Sequence, residues 1–131
     1  KAYQDLILVD EVLKNLSAPE FTILDARAND RFHGQNETLD PVAGHIPGAV
    51  NRCFKDNLEA SGKFKDLDTL KKEFTSLLKD IPSEQVVHQC GSGITACHNL
   101  FAMELIGLKG SSVYAGSWSE WCADPKRPVE K

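Results

Sequence analysis

The alternation of strand-like and helix-like stretches predicts an α/β domain with a central, mainly parallel sheet and helices on both faces. Three observations predict it. Short apolar runs alternate with longer segments whose apolar residues recur every three or four positions. One such run, ending at Cys90, passes through a Gly-x-Gly turn directly into a long apolar segment that stops at Gly107. No internal repeat, low-complexity tract or linker interrupts the 131 residues, so residues 1–131 form one domain, large enough for a real core.

Each element has its own local reason. Residues 6–9 predict a first short strand. Asp10 then caps a short helix with Val12, Leu13 and Leu16 on one face, and Ser17, Ala18 and Pro19 end it. Residues 21–25 predict a second strand, with Asp25 at its carboxyl end, where open α/β sheets carry their sites. Residues 26–44 predict a long polar loop holding Arg27, Arg31, His33, Asp40 and Pro41; loops of this length are usually functional or mobile. Residues 44–51 are a turn leading into a short strand, and residues 52–65 are polar and irregular. Leu67, Leu70, Phe74, Leu77, Leu78 and Ile81 mark an amphipathic helix, capped by Asp66 or Asp68 and stopped before Pro82. Residues 85–90 are the central strand, residues 95–107 the helix behind it, and residues 112–115 a last strand. Gly116-Ser-Trp-Ser-Glu-Trp-Cys122 and a proline-containing tail follow.

Composition excludes several function classes. With 41% hydrophobic and 26% charged residues the chain is expected to be globular and soluble. A net charge of −4, with scattered positive residues, argues against nucleic acid or an anionic membrane as the main partner. No apolar run reaches membrane-spanning length, and no signal-peptide pattern is present. The chain starts at Lys1, the expectation for a processed form or an excised piece. The cysteines Cys53, Cys90, Cys97 and Cys122 include no Cys-x-x-Cys pair, so no zinc site and no dithiol redox motif is indicated. Reduced thiols in a cytoplasmic compartment are the expectation. Cys53, Cys97 and Cys122 are expected to be passive, with Cys97 filling the core.

Cys90 is the nucleophile candidate. A strand delivers it to the sheet edge, and Gly91 and Gly93 let the backbone curl so that successive amides converge on one spot. The helix starting near Thr95 aims its positive end at the same spot. A thiol held there is favoured as the thiolate, and the same amides stabilise negative charge beside it. The bland alternative is a small buried cysteine ahead of a buried helix. Ser92 is either a hydrogen-bond donor to substrate or sulfur, or simply a turn residue. Thr95 caps the helix, and it could also face the pocket. Arg31 could hold an anionic substrate. His45 and His88 are expected to be structural, His98 exposed, and His33 without a defined role; Trp118 and Trp121 are expected in the core. A cysteine phosphatase would need an arginine six positions after the cysteine, and Ala96 stands there.

Leu24-Asp-Ala-Arg27, Arg31-Phe32, Gly44-His-Ile-Pro-Gly-Ala-Val-Asn51, Cys90-Gly-Ser-Gly-Ile-Thr95 and Tyr114-Ala-Gly-Ser-Trp-Ser-Glu-Trp121 together resemble the rhodanese family of sulfurtransferases. The likeness covers essentially the whole chain. It looks like the carboxy-terminal, catalytic half of a tandem protein, whose inactive amino-terminal rhodanese-like half contributes to the cleft. The resemblance implies a persulfide on Cys90, with the donor held by Arg31 and by Gly91, Ser92, Gly93, Ile94 and Thr95. It implies a small-molecule sulfur donor, a thiol or cyanide acceptor, and neither metal nor organic cofactor. The uncharged Gly91 and Ser92 resemble 3-mercaptopyruvate sulfurtransferases; thiosulfate-using relatives tend to carry basic residues there. Mercaptopyruvate enzymes often place a second arginine nine residues after Arg31, where this chain has Asp40, closer to the thiosulfate pattern. A non-catalytic rhodanese-like binding module is the alternative from another class.

Overall fold

The computed structural model describes residues 6–38, 40–91 and 95–131. Among them, β1 (Thr22–Asp25), β2 (Val50–Asn51), β3 (Val86–Gln89) and β4 (Ser112–Val113) form one sheet in the order β2-β1-β3-β4, with every pairing parallel. Five helices connect them: α1 (Val9–Ser17), α2 (Asn29–Phe32), α3 (Leu67–Leu78), α4 (Ala96–Leu105) and α5 (Ser117–Trp121). The predicted α/β architecture is the observed one.

Burial on both faces follows from strand alternation. Ile23 and Val87 point to one side, where they pack with Val12 of α1 and with Tyr114, Trp118 and Trp121. Leu24 and Val86 point to the other, against Leu70, Phe74 and Leu78 of α3 and Ala102 and Met103 of α4. The amphipathic spacing of α3 is what turns Leu70, Phe74 and Leu78 inward together. Asp66 caps it, accepting from the Thr69 amide at 2.9 Å. Lys79, at φ 53°, turns the chain away at the carboxyl end, so the helix stops at Leu78 and not at Ile81.

Several sequence expectations need correction. Residues 6–9 are not a strand: Leu6 makes a single parallel bridge to Val113, and α1 begins at Val9. Asp10 does not cap α1. The capping position is Leu8, and its amide donates to the Glu11 carboxylate at 2.9 Å. The stretch 26–44 is not wholly irregular, because α2 forms one turn of helix within it. Residues 52–65 likewise contain a 3-10 turn, Phe54–Asn57. The last strand ends at Val113 rather than residue 115. Cys97 is exposed on α4 and does not fill the core.

Candidate active site

The site is set by the register of two neighbouring central strands. Asp25 lies opposite Gln89, and the Ala26 amide donates to the Gln89 carbonyl at 2.8 Å. Cys90 is therefore the first residue past the carboxyl edge of the sheet, buried against Ala26 and Ala96. Its backbone is clamped by the first turn of α5. The Cys90 amide donates to Ser117 Oγ at 3.0 Å, and that hydroxyl donates to the Tyr114 carbonyl at 2.9 Å. The Trp118 and Ser119 amides donate to the Cys90 and Gly91 carbonyls, each at 2.9 Å. Ser117 makes its bonds from φ 55°, a left-handed conformation that a non-glycine residue keeps only when its surroundings enforce it.

A cleft of about 480 Å³ opens beside Cys90. Arg27, Arg31, Asp40, Cys53, Phe54, Lys55, Cys90, Gly91 and Thr95 contribute to its walls. One wall is an ion cluster. Arg27 is buried, grips the Asp25 carboxylate with Nε and Nη2, and donates to the Gly44 carbonyl at 2.7 Å. Its guanidinium lies 4.8 Å over the Trp118 ring, and Nη1 is 3.7 Å from Glu37. Arg31 reaches over Gly91, where an added Cβ would stand 3.6 Å from Nη2. Arg31 donates to both oxygens of Glu37, at 3.3 and 3.1 Å, and approaches Asp40 at 3.6 Å. Asp40 in turn accepts from Ser119 Oγ at 2.9 Å.

The opposite wall follows β2. The Phe54 amide donates to the Ala26 carbonyl at 3.0 Å, which brings Cys53, Phe54 and Lys55 to the cleft. Behind this wall Asn57 holds Arg52, Asn99 and His98 together: Arg52 Nε donates to its Oδ1 at 3.0 Å, and its Nδ2 lies 2.7 Å from Asn99 and 3.1 Å from His98 Nδ1. His98 is thus half-buried, not simply exposed, and burial lowers its pKa.

Of the predicted site residues, Cys90, Gly91, Thr95 and Arg31 come together around one cleft. Ser92, Gly93 and Ile94, and with them the proposed nest of amides, lie outside the described residues. Thr95 lines the cleft but makes no capping hydrogen bond to α4, against expectation. His45 is structural, with Nδ1 2.7 Å from the Phe32 carbonyl and its ring stacked on Phe32 at 3.8 Å. His88 is buried in β3 against Ser111, and burial lowers its pKa to about 4, so neither serves as a base at the cleft. Trp118 and Trp121 are core residues, each with its indole N–H donated to a backbone carbonyl at 2.9 Å. Sequence reasoning missed Ser117, Glu37 and Lys55. Ser117 stood in the quoted Gly-Ser-Trp motif; nothing local distinguished the other two.

The geometry has relatives among known proteins. The family model described as "Rhodanese-like domain" matches residues 8–124. A protein of Pseudomonas aeruginosa named "Probable 3-mercaptopyruvate sulfurtransferase" is 53% identical over 114 residues, covering 87% of this chain and 40% of that protein. The chicken "Thiosulfate sulfurtransferase" is 36% identical over 112 residues, covering 86% of this chain and 38% of its own. The crystal structure of the Tum1 protein from Saccharomyces cerevisiae superposes with a TM-score of 0.81 at 24% identity, over 98% of this chain and 47% of that one, a likeness of fold. The chain thus spans about 40% of the length of the curated relatives it matches. Among the described residues no helix is long and apolar enough to cross a membrane. Matched by the family model over all but its two ends, the chain belongs to the rhodanese family.

Proposed function

We propose that this domain is the catalytic half of a sulfurtransferase that moves a sulfane sulfur from 3-mercaptopyruvate to a thiol or cyanide acceptor through a persulfide on Cys90. The observation that carries the reading is the placement of Cys90 at the carboxyl end of a central strand, beside a cleft that also holds Arg31. The names of the relatives support the reaction class. In the first step the Cys90 thiolate attacks the donor's sulfur. The donor's C–S bond breaks, and the leaving enolate takes up a proton to become pyruvate. In the second step an acceptor thiolate or cyanide attacks the outer sulfur, and Cys90 departs as thiolate, a ping-pong sequence. The amides of residues 91–95 would hold the persulfide as an anion.

Thiosulfate is the second donor reading, with sulfite as leaving group. The acidic residue at Asp40 and the relatives named thiosulfate sulfurtransferases favour it. An amino-terminal rhodanese-like half and a cytoplasmic, reducing setting complete the proposal. Peptide mass spectrometry after donor treatment tests the reaction. One sulfur, about 32 Da, is expected on the Cys90 peptide, with none on a folded Cys90→Ser variant. Turnover by Cys90→Ser equal to the parent's would end the proposal. Comparing kcat/KM on the two donors assigns the donor.

A further inference from the structure

The ion cluster in the cleft is less cationic than its two arginines suggest. The guanidinium groups of Arg27 and Arg31 are shared among three carboxylates, Asp25, Glu37 and Asp40. Arg27 is sealed in, with its side chain 1% exposed. Arg31 has its Nε and Nη2 committed to Glu37, and Asp40 draws on the same Nη2. An anion arriving at Cys90 therefore meets a wall whose positive charge is already matched. A net attraction has to come from elsewhere.

Lys55 lies on the opposite wall. It is exposed, lines the cleft, and makes no ion pair among the described residues. The 3-10 turn after β2 carries it, whereas Arg31 sits over Gly91, after β3. β1 stands between those strands, and both side chains line the same cleft. The ammonium is a point charge on a flexible stem, suited to a carboxylate or sulfonate of varied size. Phe54, beside it, supplies apolar wall.

We infer that Lys55 is the anion anchor of this cleft, holding the charged end of the sulfur donor while its sulfur faces Cys90. The identity of the anion rests on the proposed transfer reaction; the presence of an anion anchor does not. The decisive experiment separates the two. In the intact protein, the rates at which iodoacetate and iodoacetamide alkylate Cys90 are measured by peptide mass spectrometry. The reagents differ chiefly in one negative charge, and neither requires sulfur transfer. Lys55→Gln is expected to slow iodoacetate about fivefold, the size of one ion contact in a wet cleft, while iodoacetamide changes little. Lys55→Arg restores the ratio. Lys126→Gln, an equal charge change at an exposed position outside the cleft, leaves it unchanged. With the natural donor, Lys55→Gln raises KM by a similar factor and leaves kcat nearly constant. An unchanged iodoacetate-to-iodoacetamide ratio in Lys55→Gln overturns the assignment. Failure of the parent to form a persulfide overturns the reaction instead and leaves the alkylation result standing.

Discussion

α3 and α5 are opposite kinds of helix. α3 has twelve residues, a capped start and a clean apolar stripe, and it packs on the sheet away from the cleft. α5 has five residues, too few to hold together in water, and no side chain caps its start. Yet α5 supplies the clamp on Cys90. The longer, capped helix contributes burial. The dependent one contributes position, because tertiary contacts that force a short turn into shape also fix where its donors point.

Four substitutions test that division, in falling order of expected effect. Phe74→Ala removes a fully buried ring from α3 and is expected to cost about 4 kcal/mol in chemical denaturation. Turnover per folded molecule should stay within twofold; a tenfold loss would erase the distinction between the helices. Ser117→Ala in α5 removes the hydroxyl that accepts from the Cys90 amide and donates to the Tyr114 carbonyl, and is expected to cost about 3 kcal/mol. Here the proposed persulfide formation, followed by stopped flow, should also slow about tenfold. An undisturbed rate would reduce α5 to packing.

His88 lies between the helices, in β3. Its pKa of about 4 in the fold stands below the ordinary 6.5, so the unfolded chain takes up the proton first. The stability that the neutral ring contributes is whole above pH 6.5 and is lost as pH falls towards 4. Between pH 7 and 4.5 the parent should lose about 2 kcal/mol more than His88→Gln in urea titrations. Parallel pH profiles for the two would place the acid sensitivity elsewhere. Asp66→Ala removes the α3 cap, is expected to give the smallest drop in urea midpoint of the four, and should leave the alkylation rate of Cys90 untouched.

What was legible in the sequence was local. The α3 stripe, the succession of β3 and α4 and the carboxyl-edge placement of Asp25 and Cys90 follow from spacing within a dozen residues. What escaped depends on distant partners. Cys97 was expected inside because α4 is apolar nearly all round, so periodicity gives no inward direction. Arg31 was legible as a cleft residue only through the family resemblance. Its capture by Glu37 was not, since that depends on how the loop after α2 folds back. Lys55 needed the sheet order, because it lies 35 positions before Cys90 and reaches it only across β1.

The Gly44 carbonyl that steadies Arg27 belongs to a segment stitched to the chain's last residues. His45 and Glu130 exchange main-chain hydrogen bonds at 2.7 and 2.9 Å, and the Glu130 carboxylate accepts from the Gly48 amide at 3.1 Å. A purification tag fused after Lys131, or proteolytic trimming that removes Glu130, acts on this seam. Its effect would travel through Gly44 to a guanidinium at the cleft, so that the position of a fusion partner becomes a variable in any assay of this domain.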